Sequence, residues 1–181
     1  RGSDNFAGLI AWMLARHDDG IAAAPPVPRP LVRWMQDGLI VETPTLSAQA
    51  VVVLDYDSGD RIGDADLHSA ICAAVIAQEL SCVSLLARWG EASVSALESI
   101  PKEQLSSIVS LQDFVIGGGS GREAATEALA TLDVPVIKGI RMIDMSEQQW
   151  RLSEAGIPWE GLYSRVAMPE LQGQGQPAVV G

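Results

Sequence analysis

Residues 50–89 read AVVVLDYDSGDRIGDADLHSAICAAVIAQELSCVSLLARW, and this stretch decides the fold. It begins with a short continuous apolar run, which is typical of a strand that is covered on both faces. The segment 64–80 has the pattern of a buried helix with an acidic start, and 81–89 is a second apolar run. Strand, helix and strand in this order predict a βαβ unit with parallel strands.

The same rhythm continues towards the C-terminus. It predicts a helix within 91–105 that ends at its proline, a third strand in 107–118, a helix in 121–133, a fourth strand in 134–140, a short helix in 146–153 with Ser146 as its N-cap, and a fifth strand or strand pair in 163–181. This alternation predicts an α/β fold, flavodoxin-like or Rossmann-like, in which a parallel sheet has helices on both faces. Ligands of such a sheet bind beyond the carboxyl ends of the strands, which selects the loops 55–63, 87–91, 117–122 and 139–144.

An N-terminal arm precedes this domain in residues 1–46. Residues 5–17 have apolar residues at helical spacing, and the proline-rich segment 22–30 is predicted to be an extended linker. Residues 31–46 are predicted to be irregular, with Trp34 as an aromatic anchor. The α/β domain is then expected over residues 47–181. Because RGS at the start resembles a tag remnant and QPAVVG ends on an apolar run, we expect a domain excised from a longer chain.

The composition restricts the possible partners. Lysine and arginine number 12 against 23 aspartates and glutamates, so the formal net charge is −11 at pH 7. This charge argues against a nucleic-acid backbone or an anionic membrane surface as a partner. No apolar stretch approaches the roughly 20 residues that cross a bilayer, and the N-terminus has no signal-peptide pattern. We therefore expect a cytoplasmic protein.

The two cysteines, Cys72 and Cys82, lie in a predicted buried helix and a predicted buried strand. Their spacing matches no metal or redox motif. We interpret both as small buried hydrophobic residues, which fits a reducing compartment.

The stretch 113–129, DFVIGGGSGREAATEAL, has the strand, glycine loop and helix of a phosphate-binding turn. A P-loop also needs the lysine of GxxxxGK[ST], which is missing, and the dinucleotide fingerprint GxGxxG fails because Arg122 stands where its third glycine belongs. The remaining prediction is an anion site formed by the backbone of Gly118, Gly119 and Ser120 together with Arg122. The alternative is a flexible turn between strand and helix.

Three further patterns bear on metal binding and catalysis. The acidic run 55–68 offers oxygen ligands for a divalent cation, but its spacing is not that of a calcium loop, so capping and solvation are the alternative interpretation. The two histidines, His17 and His68, lie far apart and predict no metal site. GGGSG nearly imitates the GxSxG of a nucleophile elbow, yet no histidine follows residue 68, which excludes a hydrolase triad in its usual order.

The C-terminal part of the chain resembles a known family more specifically than any of these motifs. LDVPV at 132–136, Trp150, the turn GIP at 156–158 and VAMPELQG at 166–173 are similar to the large subunit of the cobalt and magnesium chelatases. Upstream, residues 50–97 look like the strand, long loop, helix and second strand of that family. The helix and proline linker in residues 5–30 are also similar, so the resemblance extends over nearly the whole chain.

The resemblance implies a part in inserting Co2+ or Mg2+, as the substrate ion, into a tetrapyrrole. It implies a large subunit that binds the macrocycle and AAA+ partner subunits that use ATP and Mg2+; the fragment itself is expected to hold no cofactor, no resident metal and no catalytic residue. Tetrapyrroles of these pathways carry carboxylates, so Arg122, Lys138 and Arg141 are the candidate substrate-binding cations, and solvated surface charge is the alternative.

Two other functions stay open at this stage. One alternative is a non-catalytic scaffold that packs against other parts of its own subunit. This alternative predicts a large apolar patch on one face of the domain. It would otherwise be an independent binder of a flavin or a nucleotide, and a colourless, nucleotide-free preparation would argue against that function.

Overall fold

The molecule is built on a mixed β-sheet. A computed structural model describes residues 3–17, 30–47, 49–57, 64–142 and 145–180. Within these residues the strands are β1 (Val32–Gln36), β2 (Leu39–Val41), β3 (Ala50–Tyr56), β4 (Ser81–Ala87), β5 (Leu105–Ser110), β6 (Val136–Arg141) and β7 (Gln174–Val180). They lie in the order β2-β1-β4-β3-β5-β6-β7. β1 is antiparallel to both neighbours, and β3 to β7 are parallel. The parallel strands thus have the flavodoxin-like order, which confirms the predicted fold class.

Helices cover both faces of the sheet. The helices of the described residues are α1 (Ser3–Leu14), α2 (Asp64–Ile76), α3 (Glu91–Glu98), α4 (Gly118–Leu132), α5 (Glu147–Leu152), α6 (Trp159–Leu162) and α7 (Met168–Glu170). A 3-10 turn, Lys102–Gln104, precedes β5, and a π-helical turn, Tyr163–Ala167, joins α6 to α7. The predicted helix start at Ser146 is confirmed, because its hydroxyl accepts from Gln149 N–H and the Gln149 side chain caps Ser146 in return.

The strand residues alternate between two cores of unequal size. Val52 and Leu54 of β3 belong to the larger core, which α3 and α4 complete from one side. Val53, between them, faces the smaller core on the α2 side, where Cys82 and Leu111 are also buried. β3 is therefore covered on both faces, which explains the continuous apolar run from Ala50 to Leu54 that predicted it.

Residues 31–46 are not irregular as predicted, because they contain the hairpin of β1 and β2. Asp37 and Gly38 both have left-handed backbone angles, with φ of 52° and 76°. Two such residues form the turn that matches the twist of a two-residue hairpin, for which Asp-Gly is a preferred sequence. The hairpin joins the sheet through β4, so the sheet begins before residue 47. Trp34 is buried, which confirms its predicted role as an anchor.

The third parallel strand is shorter than predicted. β5 ends at Ser110, and the loop 111–117 then leaves the sheet. Val115 and Ile116 are buried without strand pairing, because the side-chain amide of Gln172 takes over the backbone of Ile116. Ile116 N–H donates to Gln172 Oε1 at 2.8 Å, and Gln172 Nε2 donates to Ile116 C=O at 2.8 Å. A side chain distant in sequence thus satisfies the backbone hydrogen-bonding groups of this apolar run, so the run is buried without being a strand.

Two other predictions are wrong. The strand expected from residue 163 is helical up to Glu170, and only β7 remains of the predicted pair. Arginine, alanine, methionine and glutamate in this segment are good helix formers, which favours the observed state. Cys72 and Cys82 are not free thiols, because a disulfide joins them with their Cα atoms 5.2 Å apart. That separation lies within the range of ordinary disulfides.

The N-terminal helix is confirmed as α1, on which Phe6, Leu9, Ile10, Met13 and Leu14 are exposed. The predicted proline linker lies outside the described residues, except for Pro30. Within the described part of the chain, no helix combines the length and the apolar character that crossing a membrane requires.

Candidate functional site

A pocket of about 270 Å3 lies at the carboxyl edge of the sheet. Tyr56 from the end of β3, Trp89 from the β4–α3 loop, and Gln112, Asp113 and Phe114 from the β5–α4 loop line it. β3 and β5 are the neighbours between which the strand order reverses, and sheets of this type bind ligands at that point. We call these five residues the aromatic pocket.

Three aromatic rings give the pocket its character. The Trp89 and Phe114 rings meet edge to face, with centroids 6.0 Å apart and an interplanar angle of 68°. The indole N–H of Trp89 donates to the Val115 carbonyl at 3.3 Å, which ties this ring to the β5–α4 loop. Trp89 nevertheless keeps 53% of its surface exposed, so a face of the indole is open to a ligand.

The glycines after β5 make room for Trp89. A Cβ on Gly118 would lie 2.7 Å from Cζ2 and Nε1 of Trp89, which is closer than two such atoms approach. Gly117 is equally constrained, because its Cβ would lie 2.7 Å from the carbonyl carbon of Gly121. Both glycines have left-handed backbone angles, with φ of 83° at Gly117 and 45° at Gly118. The run therefore supports a tightly packed turn with an indole against it.

The other predicted residues of this loop lie on the outside. Gly119 and Ser120 are exposed at the start of α4, and Arg122 is half-buried. Arg122 follows Gly118 by four residues, but Gly119 interrupts the helix between them with a φ of 24° and a ψ of −115°, and the backbone carbonyl of Arg122 lies 3.5 Å from Gln172 Nε2. Of the predicted anion site, the structure thus packs Gly118 against Trp89 of the pocket and leaves Gly119 and Ser120 at the surface.

Lys138 is a buried lysine beneath the pocket. Its ammonium donates to the Gln112 carbonyl and thereby holds the start of the β5–α4 loop. Burial lowers the Lys138 pKa from 10.5 to about 8 against the opposing effect of Asp113. The predicted role of Lys138 in substrate binding would require this internal bond to break.

Arg141 is also engaged inside the protein. Its Nη1 and Nη2 donate to the Asp55 carboxylate at 3.1 and 2.8 Å, and Nη2 also donates to the Leu111 carbonyl at 3.1 Å. The backbone carbonyl of Arg141 in turn accepts from Arg165 Nη1 at 3.1 Å. Arg141 therefore links β3, the β5–α4 loop and the π-helical turn, and this arrangement does not present it to solvent.

The sequence interpretation missed a buried polar network on the α2 side. His68 Nε2–H donates to Asp55 Oδ2 at 2.8 Å, and His68 Nδ1 lies 2.7 Å from Ser84 Oγ. The three residues have the order of a serine-hydrolase triad, but each is at most 2% exposed, so no substrate reaches them. The network is structural, and it satisfies groups that burial would otherwise leave unpaired.

Two aspartates of the acidic run are internal partners, whereas Asp66 is exposed in the first turn of α2, as capping and solvation predict. Asp55 binds His68 and Arg141, and Asp57 accepts from Arg33 at 3.0 and 2.6 Å. The described residues contain no cluster of three or more metal-ligating side chains. Residues 58–63 of the run lie outside the described residues.

Among the described residues, two further hollows lie away from the switch point. One of about 370 Å3 is lined by Met142, Met145, Glu147, Trp150, Arg151 and Val179. Another, of about 560 Å3, lies at the amino end of β6 beside Asp133 and Pro135. The aromatic pocket is smaller, but it has the position that this topology favours for ligands.

Comparison with known proteins points to one family. A family model described as CobN/Magnesium Chelatase matches residues 1–181. The H-type subunit of magnesium chelatase from Rhodobacter capsulatus is 24% identical over 193 residues, covering 97% of this chain and 16% of that protein. The chloroplastic ChlH subunit of magnesium chelatase from Oryza sativa subsp. indica is 33% identical over 81 residues, covering 43% of this chain and 6% of that protein.

A solved structure supports the fold. The catalytic subunit of cobaltochelatase from Mycobacterium tuberculosis matches with a TM-score of 0.58 at 22% identity. The match covers 93% of this chain and 15% of that subunit. The chain therefore spans about a sixth of the length of the relatives that it matches along most of its length.

Proposed function

The chain belongs to the CobN/magnesium chelatase family, and from this membership we propose that it is a domain of the large, tetrapyrrole-binding subunit of an ATP-dependent metal chelatase. Such an enzyme inserts Co2+ or Mg2+ into a tetrapyrrole, and in this proposal AAA+ subunits bind and hydrolyse ATP with Mg2+. Because the chain covers 16% of its bacterial relative, we assign it a share in binding the macrocycle and not the insertion step.

The aromatic pocket is the observation that carries this proposal. A tetrapyrrole is a planar, largely apolar ring system, and the exposed indole of Trp89 offers a flat surface of matching chemistry. Aromatic pairs of this kind contribute about 0.5–1.5 kcal/mol beyond the burial of their area. Rings from one strand end and two loops, those of Tyr56, Trp89 and Phe114, converge at the switch point, which favours a ligand-binding role for the group.

The size of the pocket limits what enters it. Its volume of about 270 Å3 lies just below the roughly 300–1,000 Å3 of sites that enclose a whole small ligand. We therefore propose that one edge of the macrocycle enters and that the rest of the ring lies over Trp89. Asp113 at the rim would repel a carboxylate, so the edge that enters is one without an acidic side chain.

Arg122 is the cation that we propose for the substrate carboxylate. It follows Gly118, against which Trp89 packs, by four residues, and its side chain is half-exposed. The exposed backbone at Gly119 and Ser120 begins the same helix and would add to the favourable field for an anion. Lys138 and Arg141 act behind the pocket in this proposal, where they hold the β5–α4 loop in place.

The proposal is tested by titrating the 181-residue protein with a porphyrin dicarboxylate and with its dimethyl ester, following the quenching of tryptophan fluorescence. We expect saturable quenching with both compounds and tighter binding of the free acid. R122Q should remove the preference for the acid, whereas R151Q, at an arginine whose side chain is 74% exposed, should leave it intact. Equal affinity for acid and ester in the unmodified protein would contradict the role of Arg122.

A scaffold function is the second candidate, and α1 favours it. Phe6, Leu9, Ile10, Met13 and Leu14 are exposed on this helix at spacings of three and four residues. An apolar stripe of this kind is typical of an interaction surface. A domain that acts only as a scaffold would show no saturable quenching with either porphyrin, so the same titration separates the two candidates.

A further inference from the structure

The Cys72–Cys82 disulfide is the most unexpected bond in the described structure. It fastens the second half of α2 to the first half of β4. Cys82 is 7% exposed, whereas Cys72 is half-buried and lies nearer the surface. A thiol reagent would therefore meet the sulfur of Cys72 first.

A second link joins the same two elements next to the disulfide. His68 precedes Cys72 by one helical turn, and Ser84 follows Cys82 by two residues on the same face of β4. The 2.7 Å contact between His68 Nδ1 and Ser84 Oγ thus lies next to the disulfide. We call this contact and the disulfide the two rungs between α2 and β4. A shift of α2 against β4 would disturb both rungs together.

Further hydrogen bonds connect His68 to the carboxyl edge of the sheet. His68 binds Asp55, Asp55 binds Arg141, and Arg141 holds the Leu111 carbonyl at the start of the loop 111–117. This loop carries Phe114 and Asp113 of the aromatic pocket. An unbroken series of bonds therefore runs from the disulfide-bearing helix to the pocket.

Within the described residues, the apolar contact between α2 and the sheet is modest. Its inward apolar side chains, Leu67, Ile71 and Val75, are all only half-buried. Of the described side chains of α2, His68 is the one that is fully buried. Because the apolar contact is modest, the two rungs supply much of the attachment of α2.

We propose that Cys72–Cys82 is a thiol–disulfide exchange site for a dithiol reductant, and that its reduction loosens the aromatic pocket through His68. In the first step, a thiolate of the reductant attacks Cys72 Sγ, the bond between the sulfurs breaks, and Cys82 leaves as a thiolate that takes up a proton. In the second step, the second thiol of the reductant attacks the reductant's first sulfur in the mixed disulfide. This closes the disulfide of the reductant and releases Cys72 as a thiol. The dithiol is oxidised to a disulfide, and two electrons and two protons pass to the protein.

The exchange is measured on the unmodified protein in buffers of reduced and oxidised dithiothreitol. Alkylation and intact mass give the fraction reduced, and hydrogen exchange gives the protection of residues 64–76 and 111–117. Closure of a loop with a sequence separation of 10 predicts that reduction lowers the Tm by about 5–10 °C. We also expect faster exchange in both segments, reversible on reoxidation.

H68Q separates the coupling from general loosening. With the disulfide intact, it breaks the rung, so exchange in 111–117 should rise and further reduction should add little there. V75A loosens α2 without touching either rung, and its response to reduction should equal that of the unmodified protein. Free thiols that persist in oxidising buffer would overturn the exchange site, and reduction that changes 64–76 but not 111–117 would overturn the coupling.

Discussion

The contact between Gly118 and Trp89 makes a sharp prediction for the variant G118A. The backbone of Gly118 has a φ of +45°, which costs an L-residue about 1–2 kcal/mol. The new methyl group would lie 2.7 Å from Cζ2 and Nε1 of Trp89, so the indole must leave its position. Overpacking of this kind costs about 1–3 kcal/mol. Together the free energy of unfolding should fall by about 2–5 kcal/mol.

G119A is the control for backbone strain alone, because Gly119 has a φ of 24°, a ψ of −115° and no atom within 4 Å of its missing Cβ. It should show the backbone strain without the displacement of Trp89. Thermal unfolding should then lose roughly 4–20 °C in G118A and roughly 2–8 °C in G119A.

The position of Trp89 is read separately, by acrylamide quenching of each variant with and without W89F. The Trp89 contribution should become more accessible in G118A and stay unchanged in G119A. If both variants lose the same stability and leave the accessibility of Trp89 unchanged, the packing argument for the glycine run is wrong.

Three more substitutions test other parts of the structure. The Lys138 pKa is about 8 in the folded state and 10.5 in the unfolded chain, so the unfolded chain binds more protons between these pH values. The free energy of unfolding should therefore rise by about 3 kcal/mol from pH 8 to 10.5. Denaturant titrations should show this rise in the unmodified protein and not in K138M. R141M leaves a buried carboxylate without its guanidinium and should cost about 3–5 kcal/mol, whereas R151M, at an exposed pair, should cost less than about 1 kcal/mol, and similar losses would contradict the account of the buried network. G38A should cost about 1–2 kcal/mol because of its left-handed backbone, while D37N, which keeps a residue suited to the turn, should be nearly neutral in the same titrations.

The sequence was sufficient for the elements with strong local signals. The continuous apolar run of β3 and the N-cap at Ser146 depend on neighbouring residues, and both predictions are confirmed. The hairpin at Asp37 and Gly38 was also readable from its turn chemistry, but that signal was overlooked. The strand predicted through Ile116 failed for a different reason, because the amide that satisfies this backbone comes from Gln172, far along the chain.

The site itself depends on long-range pairing. Arg141 and Asp55 are separated by 86 residues, and no local pattern indicates that a predicted surface cation is a buried partner. The aromatic pocket was nearer to prediction, since two of its residues, Tyr56 and Trp89, lie in loops that the carboxyl-edge rule had selected. Phe114 was not predicted as a site residue, because the predicted third strand is too long and places Phe114 inside the sheet.

Binding of a porphyrin to a variant of Trp89 tests the central claim most directly. The measurement is the dissociation constant of a porphyrin dicarboxylate for W89A, compared with the unmodified protein and with W159A, which removes another exposed tryptophan. Loss of the stacking surface should weaken binding about tenfold in W89A, equivalent to about 1.4 kcal/mol, and leave W159A unchanged. If W89A binds as tightly as the unmodified protein, the aromatic pocket is not where the tetrapyrrole lies.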